Sequence, residues 1–107
     1  MLYDFMRIIV FFDLPVKTKK QRKIYTTFRK HLIRTGHQML QYSVYSKIVN
    51  TREAARNHAK NIIDNAPQEG NIRLMTLTEK QYANMKIVVG GKSLQEETLS
   101  IDPFLKF

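Results

Sequence analysis

Near its start the chain carries MRIIVFF, Met6 to Phe12, a run of β-branched and aromatic residues closed by Asp13-Leu14-Pro15. A short run of this kind reads as a strand buried on both faces, which is the central position of a sheet. Pro15 ends it, because proline has no N–H to give to a ladder. At 107 residues the chain can bury one core and not two. A single sheet with a helical layer is therefore expected. With 43% apolar and 25% charged residues the composition is that of a globular domain, not of a disordered chain.

From Thr18 to Thr35 the apolar residues Ile24, Tyr25, Phe28, Leu32 and Ile33 fall on one helical stripe. Thr18 with Gln21 makes a capping box and Gly36 a stop. HQMLQYSVYSKIV, His37 to Val49, has no helical spacing and is long enough for two short strands turning near Tyr42-Ser43 or for one bent strand, and two strands are the preferred reading. Asn50 with Glu53 opens a second helix, with Ala54, Ala55, His58, Ala59, Ile62 and Ile63 facing inward and Pro67 beyond its end. NIRLMTLT, Asn71 to Thr78, is a strand. A helical turn through Tyr82 and Met85 follows, then a last strand over Lys86 to Val89 and a turn at Gly90-Gly91. The order is βαββαβ plus an extra C-terminal strand, an α+β, ferredoxin-like antiparallel sheet with two helices on one face. Residues 1–90 form this domain. The tail, 91–107, carries Leu94, Leu99, Ile101, Phe104, Leu105 and Phe107 and is expected to dock on partner subunits.

Charge narrows the function. Eighteen Lys and Arg against nine Asp and Glu give +9 on a small surface, the electrostatic footprint of a polyanion-binding protein. A membrane partner does not fit, because the longest apolar run is far short of the roughly 20 residues that span a bilayer. The opening MLYDFMR has neither the basic region nor the apolar stretch of a signal peptide, and there are no cysteines, so a cytoplasmic location is expected. Lys17, Lys19, Lys20, Arg22 and Lys23 crowd the start of the first helix, where the macrodipole is already positive and each cation costs about 0.3–1 kcal/mol. One reading of this is a solvated face. The other is a phosphate site, since helix N-termini also offer free N–H groups to anions. Arg29, Lys30 and Arg34 extend the basic face, and Lys47, Arg52, Arg56 and Lys60 make a second basic region.

Asp13 stands where the first strand leaves the sheet. It reads either as a turn former before Leu-Pro or as a ligand for Mg²⁺ beside a phosphate. One chain supplies one such carboxylate, and a two-fold dimer would bring two copies together. Other chemistries find no support. His31, His37 and His58 lack zinc-site spacing, no Gly-x-Ser-x-Gly elbow is present, and Gly90-Gly91 lacks the lysine of a phosphate loop. The ribonucleoprotein signature is absent, and Tyr42 and Tyr45 are candidates for stacking on bases or for packing.

MRIIVFFDLP, GHQMLQYSVYSKI and NIRLMTLTEKQY, in this order and spacing, resemble the CRISPR-associated protein Cas-two family of systems with a single large effector nuclease, over Met6 to Val89. The resemblance implies a ferredoxin-like homodimer that bridges two dimers of the Cas-one integrase, with duplex prespacer DNA lying across it. It implies a metal aspartate at Asp13, with one Mg²⁺ shared across the dimer, and DNA contacts at Lys17, Lys19 and Lys20, extended to Arg22 and Lys23. Two functions follow: a non-catalytic DNA-binding scaffold for spacer integration, or a Mg²⁺-dependent endonuclease using Asp13 from both protomers.

Overall fold

The computed structural model describes residues 5–91. The expected tail lies outside the described residues beyond Gly91. The elements are β1 (Met6–Asp13), α1 (Lys19–Arg34), β2 (Gln38–Gln41), β3 (Val44–Val49), α2 (Arg52–Asp64), β4 (Asn71–Thr78) and α3 (Glu79–Ala83). The strands form one sheet in the order β2-β3-β1-β4. β1 is antiparallel to β3 on one side and to β4 on the other, as its apolar run requires. The β1-α1-β2 and β3-α2-β4 units are thus each split by a strand of the other, the ferredoxin-like arrangement.

Side chains alternate across β1. Met6, Ile8, Val10 and Phe12 face the helical layer and join Phe28 and Leu32 of α1, Tyr45 and Val49 of β3, and Ala55 and Ile62 of α2 in one core. Ile8, Val10 and Leu32 are fully buried, each worth about 1.5–3 kcal/mol of transfer free energy. Phe12 lies edge-on to Phe28 at 5.3 Å and stacks on Tyr45 at 5.7 Å, which locks the strand end to both layers.

Helix ends follow their local chemistry. Thr18 caps α1 with the full capping box to Gln21. At the other end Gly36, at φ 92°, lets the chain turn back: Gly36 N–H donates to the Ile33 carbonyl and His37 N–H to the Leu32 carbonyl, at 3.0 and 2.9 Å. The cap of α2 is Thr51, not Asn50. Thr51 is in the extended conformation and accepts from Ala54 N–H. Ile63, expected inward, is 63% exposed, because the short α2 stripe centres on Ala55 and Ile62 and leaves the next position outside it. The hairpin turns where expected, with Ser43 at φ 63°.

The strand expected over Lys86 to Val89 is not formed: residues 85–87 are irregular, 88–90 bend, and Val88 and Val89 are each 91% exposed. A strand needs a neighbour to take its N–H and C=O groups, and the described residues supply none. The opposite sheet face carries Arg7, Ile9, Phe11 and Asp13 of β1 in register with Val44, Ser46 and Ile48 of β3 and with Asn71, Arg73, Met75 and Leu77 of β4. No long helix among the described residues covers it. At one end Arg7 is buried by α3, donating from Nε to Glu79 at 3.1 Å and through a second nitrogen to the other carboxylate oxygen, with Tyr82 3.8 Å from its guanidinium carbon.

Removing the acid would leave a buried guanidinium unpaired. Glu79→Ala is expected to lower the unfolding free energy by about 3–5 kcal/mol, read by urea denaturation. His37 gives a second expectation. Burial pushes its pKa down from 6.5 to about 4, against the pull of the Leu32 carbonyl. Below pH 6.5 the unfolded chain takes up a proton that the native state does not accept until about pH 4. Stability is therefore complete above the first value and falls towards the second, by at most on the order of 3 kcal/mol. Denaturation curves across this range should have a shallower acid limb in His37→Gln.

Candidate nucleic-acid interface

Asp13 is the last residue of β1, paired with Asn71 of β4, and exposed on the sheet face away from the long helices. Its position is tightly set. Leu14 behind it is buried in the core. Gly70 passes so close that a Cβ there would lie 2.8 Å from the Asp13 carbonyl oxygen and 2.8 Å from a Leu14 methyl group, and its φ of +99° suits only glycine. Among the described acids, Glu79 pairs with Arg7, Asp64 with Lys60 and Glu69 with Gln21, while Glu53 sits in the first turn of α2, where the dipole favours it. The Asp13 carboxylate has no such partner among the described residues.

As a metal ligand it would supply one carboxylate. Among the described residues no group of three or more His, Cys, Asp or Glu side chains converges. Magnesium, however, needs only one or two carboxylates plus water and phosphate oxygens. The donor set therefore fits Mg²⁺ if a second Asp13 is brought alongside.

Five residues, Leu14 to Thr18, connect Asp13 to α1. Lys17, Lys19, Lys20, Arg22 and Lys23 are all exposed there, and the first turn contains no acid. The capping box uses part of the anion-binding capacity read from the sequence. Gln21 Oε1 accepts from the Lys17 and Thr18 N–H groups at 2.9 and 3.0 Å, and Thr18 Oγ1 accepts from Gln21 N–H at 3.0 Å. The N–H groups of Lys19 and Lys20 remain outside the intrahelical ladder. Arg22 is set apart from the lysines: its guanidinium donates to the Val16 and Lys17 carbonyls at 3.2 and 3.0 Å, so it braces the loop. The ammonium groups of Lys17, Lys19, Lys20 and Lys23 make no ion pair among the described residues. They form a cluster of cations beside a strand-end carboxylate.

The two tyrosines separate. Tyr45 is 2% exposed and belongs to the core, whereas Tyr42 is 77% exposed at the hairpin turn. Tyr42 stacks on Tyr25 at 6.5 Å, and hydrogen bonding to Tyr25 pushes its phenol pKa up. The second basic region also divides. Arg52, Arg56 and Lys60 are exposed on α2, and Lys60 pairs with Asp64 at 2.8 Å. Lys47, on β3, instead lies across Gly36, in a cleft with Arg34 and His58 that the linear sequence gives no sign of. The buried Arg7–Glu79 pair is likewise hidden in the sequence, where Arg7 interrupts an apolar run and its partner is 72 residues away.

The family model described as CRISPR associated protein Cas2 matches residues 6–85. The chain is 46% identical over 95 residues to a protein of Acidovorax ebreus named CRISPR-associated endoribonuclease Cas2, covering 89% of this chain and 93% of that protein. A protein of Treponema denticola with the same name is 51% identical over 85 residues, 79% of this chain and 84% of its own length. A third, of Streptococcus mutans, is 45% identical over 87 residues, 81% of this chain and 80% of its own. No helix among the described residues is long and apolar enough to cross a membrane.

Proposed function

The chain belongs to the CRISPR-associated protein Cas2 family, and from that premise we propose that it is the dimeric, DNA-binding scaffold of a spacer-acquisition complex, working in the cytoplasm. In this reading two copies set the distance between two dimers of the Cas-one integrase and hold duplex prespacer DNA by its phosphates. The observation that carries it is the unpaired lysine cluster at the start of α1, Lys17, Lys19, Lys20 and Lys23, with no acid in its first turn. Such a cluster is unfavourable for the helix alone and becomes favourable once phosphates neutralise it. Each phosphate held this way contributes about −0.9 to the salt slope on duplex DNA and reads no base. Arg22 contributes by holding the loop that carries Lys17.

The dimer rests on the open sheet face. Ile9, Phe11, Val44, Ile48, Met75 and Leu77 share that face, and Phe11 and Met75 are 37% and 43% exposed. Pairing it with a second copy would bury this surface and draw the partner's Asp13 towards this one, since Asp13 ends the same row of side chains. Val88 and Val89, exposed without a ladder, are suited to pairing with another subunit.

A second reading is favoured by the free Asp13 carboxylate and by the name endoribonuclease carried by the relatives. Asp13 and the partner's Asp13 would hold one Mg²⁺, which when bound supplies Lewis-acid polarisation of a phosphodiester and a more acidic water. Lys17, Lys19 and Lys20 would hold the flanking phosphates in place. Neither His31 nor His37 could serve as a base there: one hydrogen-bonds Asn61 on α2 and the other is buried.

Charge reversal at Lys17, Lys19 and Lys20 is expected to abolish duplex binding and spacer acquisition, while Asp13→Ala leaves both intact. Loss of acquisition in Asp13→Ala with dimer and complex still assembled would overturn the scaffold reading. For the nuclease, RNA and DNA cleavage by the purified protein should require Mg²⁺, stop with EDTA and vanish in Asp13→Ala. Separately, Phe11→Arg should convert the dimer to monomer in sedimentation experiments; an unchanged dimer would place the interface elsewhere.

A further inference from the structure

On the helical side of the sheet, away from both Asp13 and the open face, lies a cleft of about 510 Å³ lined by Arg34, Thr35, Gly36, Lys47, Asn57, His58 and Asn61. Three elements build it. Arg34 comes from the end of α1, Lys47 from β3, and Asn57, His58 and Asn61 from one side of α2. Among the described residues no carboxylate lines it, and neither Arg34 nor Lys47 makes an ion pair. The simplest occupation for these cations would be capping the α1 C-terminus, but three of the last four carbonyls there are already engaged. The His31 carbonyl accepts from Thr35 N–H and Thr35 Oγ1, the Leu32 carbonyl from His37 N–H and Thr35 Oγ1, and the Ile33 carbonyl from Gly36 N–H. The helix dipole adds only about half a negative charge there, less than two permanent cations.

We propose that this cleft binds a single phosphoryl oxyanion, either inorganic phosphate or the terminal phosphate of a nucleic-acid strand. Arg34 offers a planar fork of donors and Lys47 a point charge, the two complementary ways of holding such a group. The amides of Asn57 and Asn61 and the ring of His58 add neutral donors from α2. Gly36 gives the Lys47 ammonium its place, because a Cβ on residue 36 would stand where that group lies. Burial and the nearby Lys47 hold the His58 pKa below its ordinary value, so an anion that offsets Lys47 should raise it. Lys47 and His37 approach that imidazole from the sheet side, and Arg34 lines the same cleft from the end of α1. The site stands independently of the DNA-binding reading, and it stays open if the opposite face forms a dimer.

The test is a titration of the full-length protein with inorganic phosphate, followed by amide and imidazole NMR, against sodium chloride at matched ionic strength. Phosphate should shift the Gly36, Asn57 and His58 signals saturably and raise the His58 pKa. Arg34→Gln combined with Lys47→Gln should weaken binding by about tenfold or more, and Lys47→Arg should retain it. A 5′-phosphorylated duplex that moves the same signals, where its 5′-hydroxyl counterpart does not, identifies the strand terminus as the source; shifts with phosphate alone identify the free ion. Equal shifts with chloride, shifts spread evenly over all basic surfaces, or undiminished binding by the folded double variant would each overturn the proposal.

Discussion

The two hydrogen-bonded ladders along β1, to β3 on one side and β4 on the other, decide where everything else can go. Because neighbouring residues of a strand point to opposite faces, one register sends Ile8, Val10 and Phe12 under the helices and Arg7, Ile9, Phe11 and Asp13 to the other side. A slip by one residue would exchange the two sets, placing a guanidinium and a carboxylate in the core. The contacts of Phe12 with Phe28 and Tyr45 hold the register at the end that matters most, where the strand delivers Asp13 and the chain turns into the lysine-rich start of α1.

Electrostatics is organised by the same frame. The described acids are mostly engaged by neighbours, Glu79 by Arg7, Asp64 by Lys60 and Glu69 by Gln21. Most of the positive charge is not. It includes the Lys17 to Lys23 cluster and the Arg34–Lys47 cleft, and also Arg29 and Lys30 on α1 and Arg52 and Arg56 on α2. The protein is thus internally balanced where it is packed and unbalanced where it meets solvent, which is how a small fold can carry +9 and still close its core.

Local chemistry explains which features were readable in the sequence. The α1 capping box, the Gly36 stop, the turn at Tyr42-Ser43 and the bounds of β4 depend on residues within a few positions of one another, so their patterns are legible. The α2 cap slipped by one because Asn50 and Thr51 are both competent caps, and only the backbone decides between them. The strand expected at Lys86 to Val89 has the right composition, but composition does not supply a neighbouring strand. Asp13 and the lysines were legible as a candidate site because they follow one another in the chain. The Arg34–Lys47–His58 cleft was not, because three separate elements assemble it, and the Arg7–Glu79 pair spans almost the whole described chain.

That long span has a kinetic side. β1 is synthesised before every other strand of the sheet, yet one of its two ladders and the partner of its buried arginine come from residues 71–79. Until those residues emerge from the ribosome, the most apolar strand of the protein has an unpaired edge and Arg7 has no carboxylate. Folding with such distant pairings is slow relative to a helical domain of this size, and the early strand is exposed to wrong partners while it waits. The hairpin of β2 and β3 can form sooner and shield one edge of β1. The arrangement that makes β1 the centre of the finished sheet also makes it the last strand to be completed.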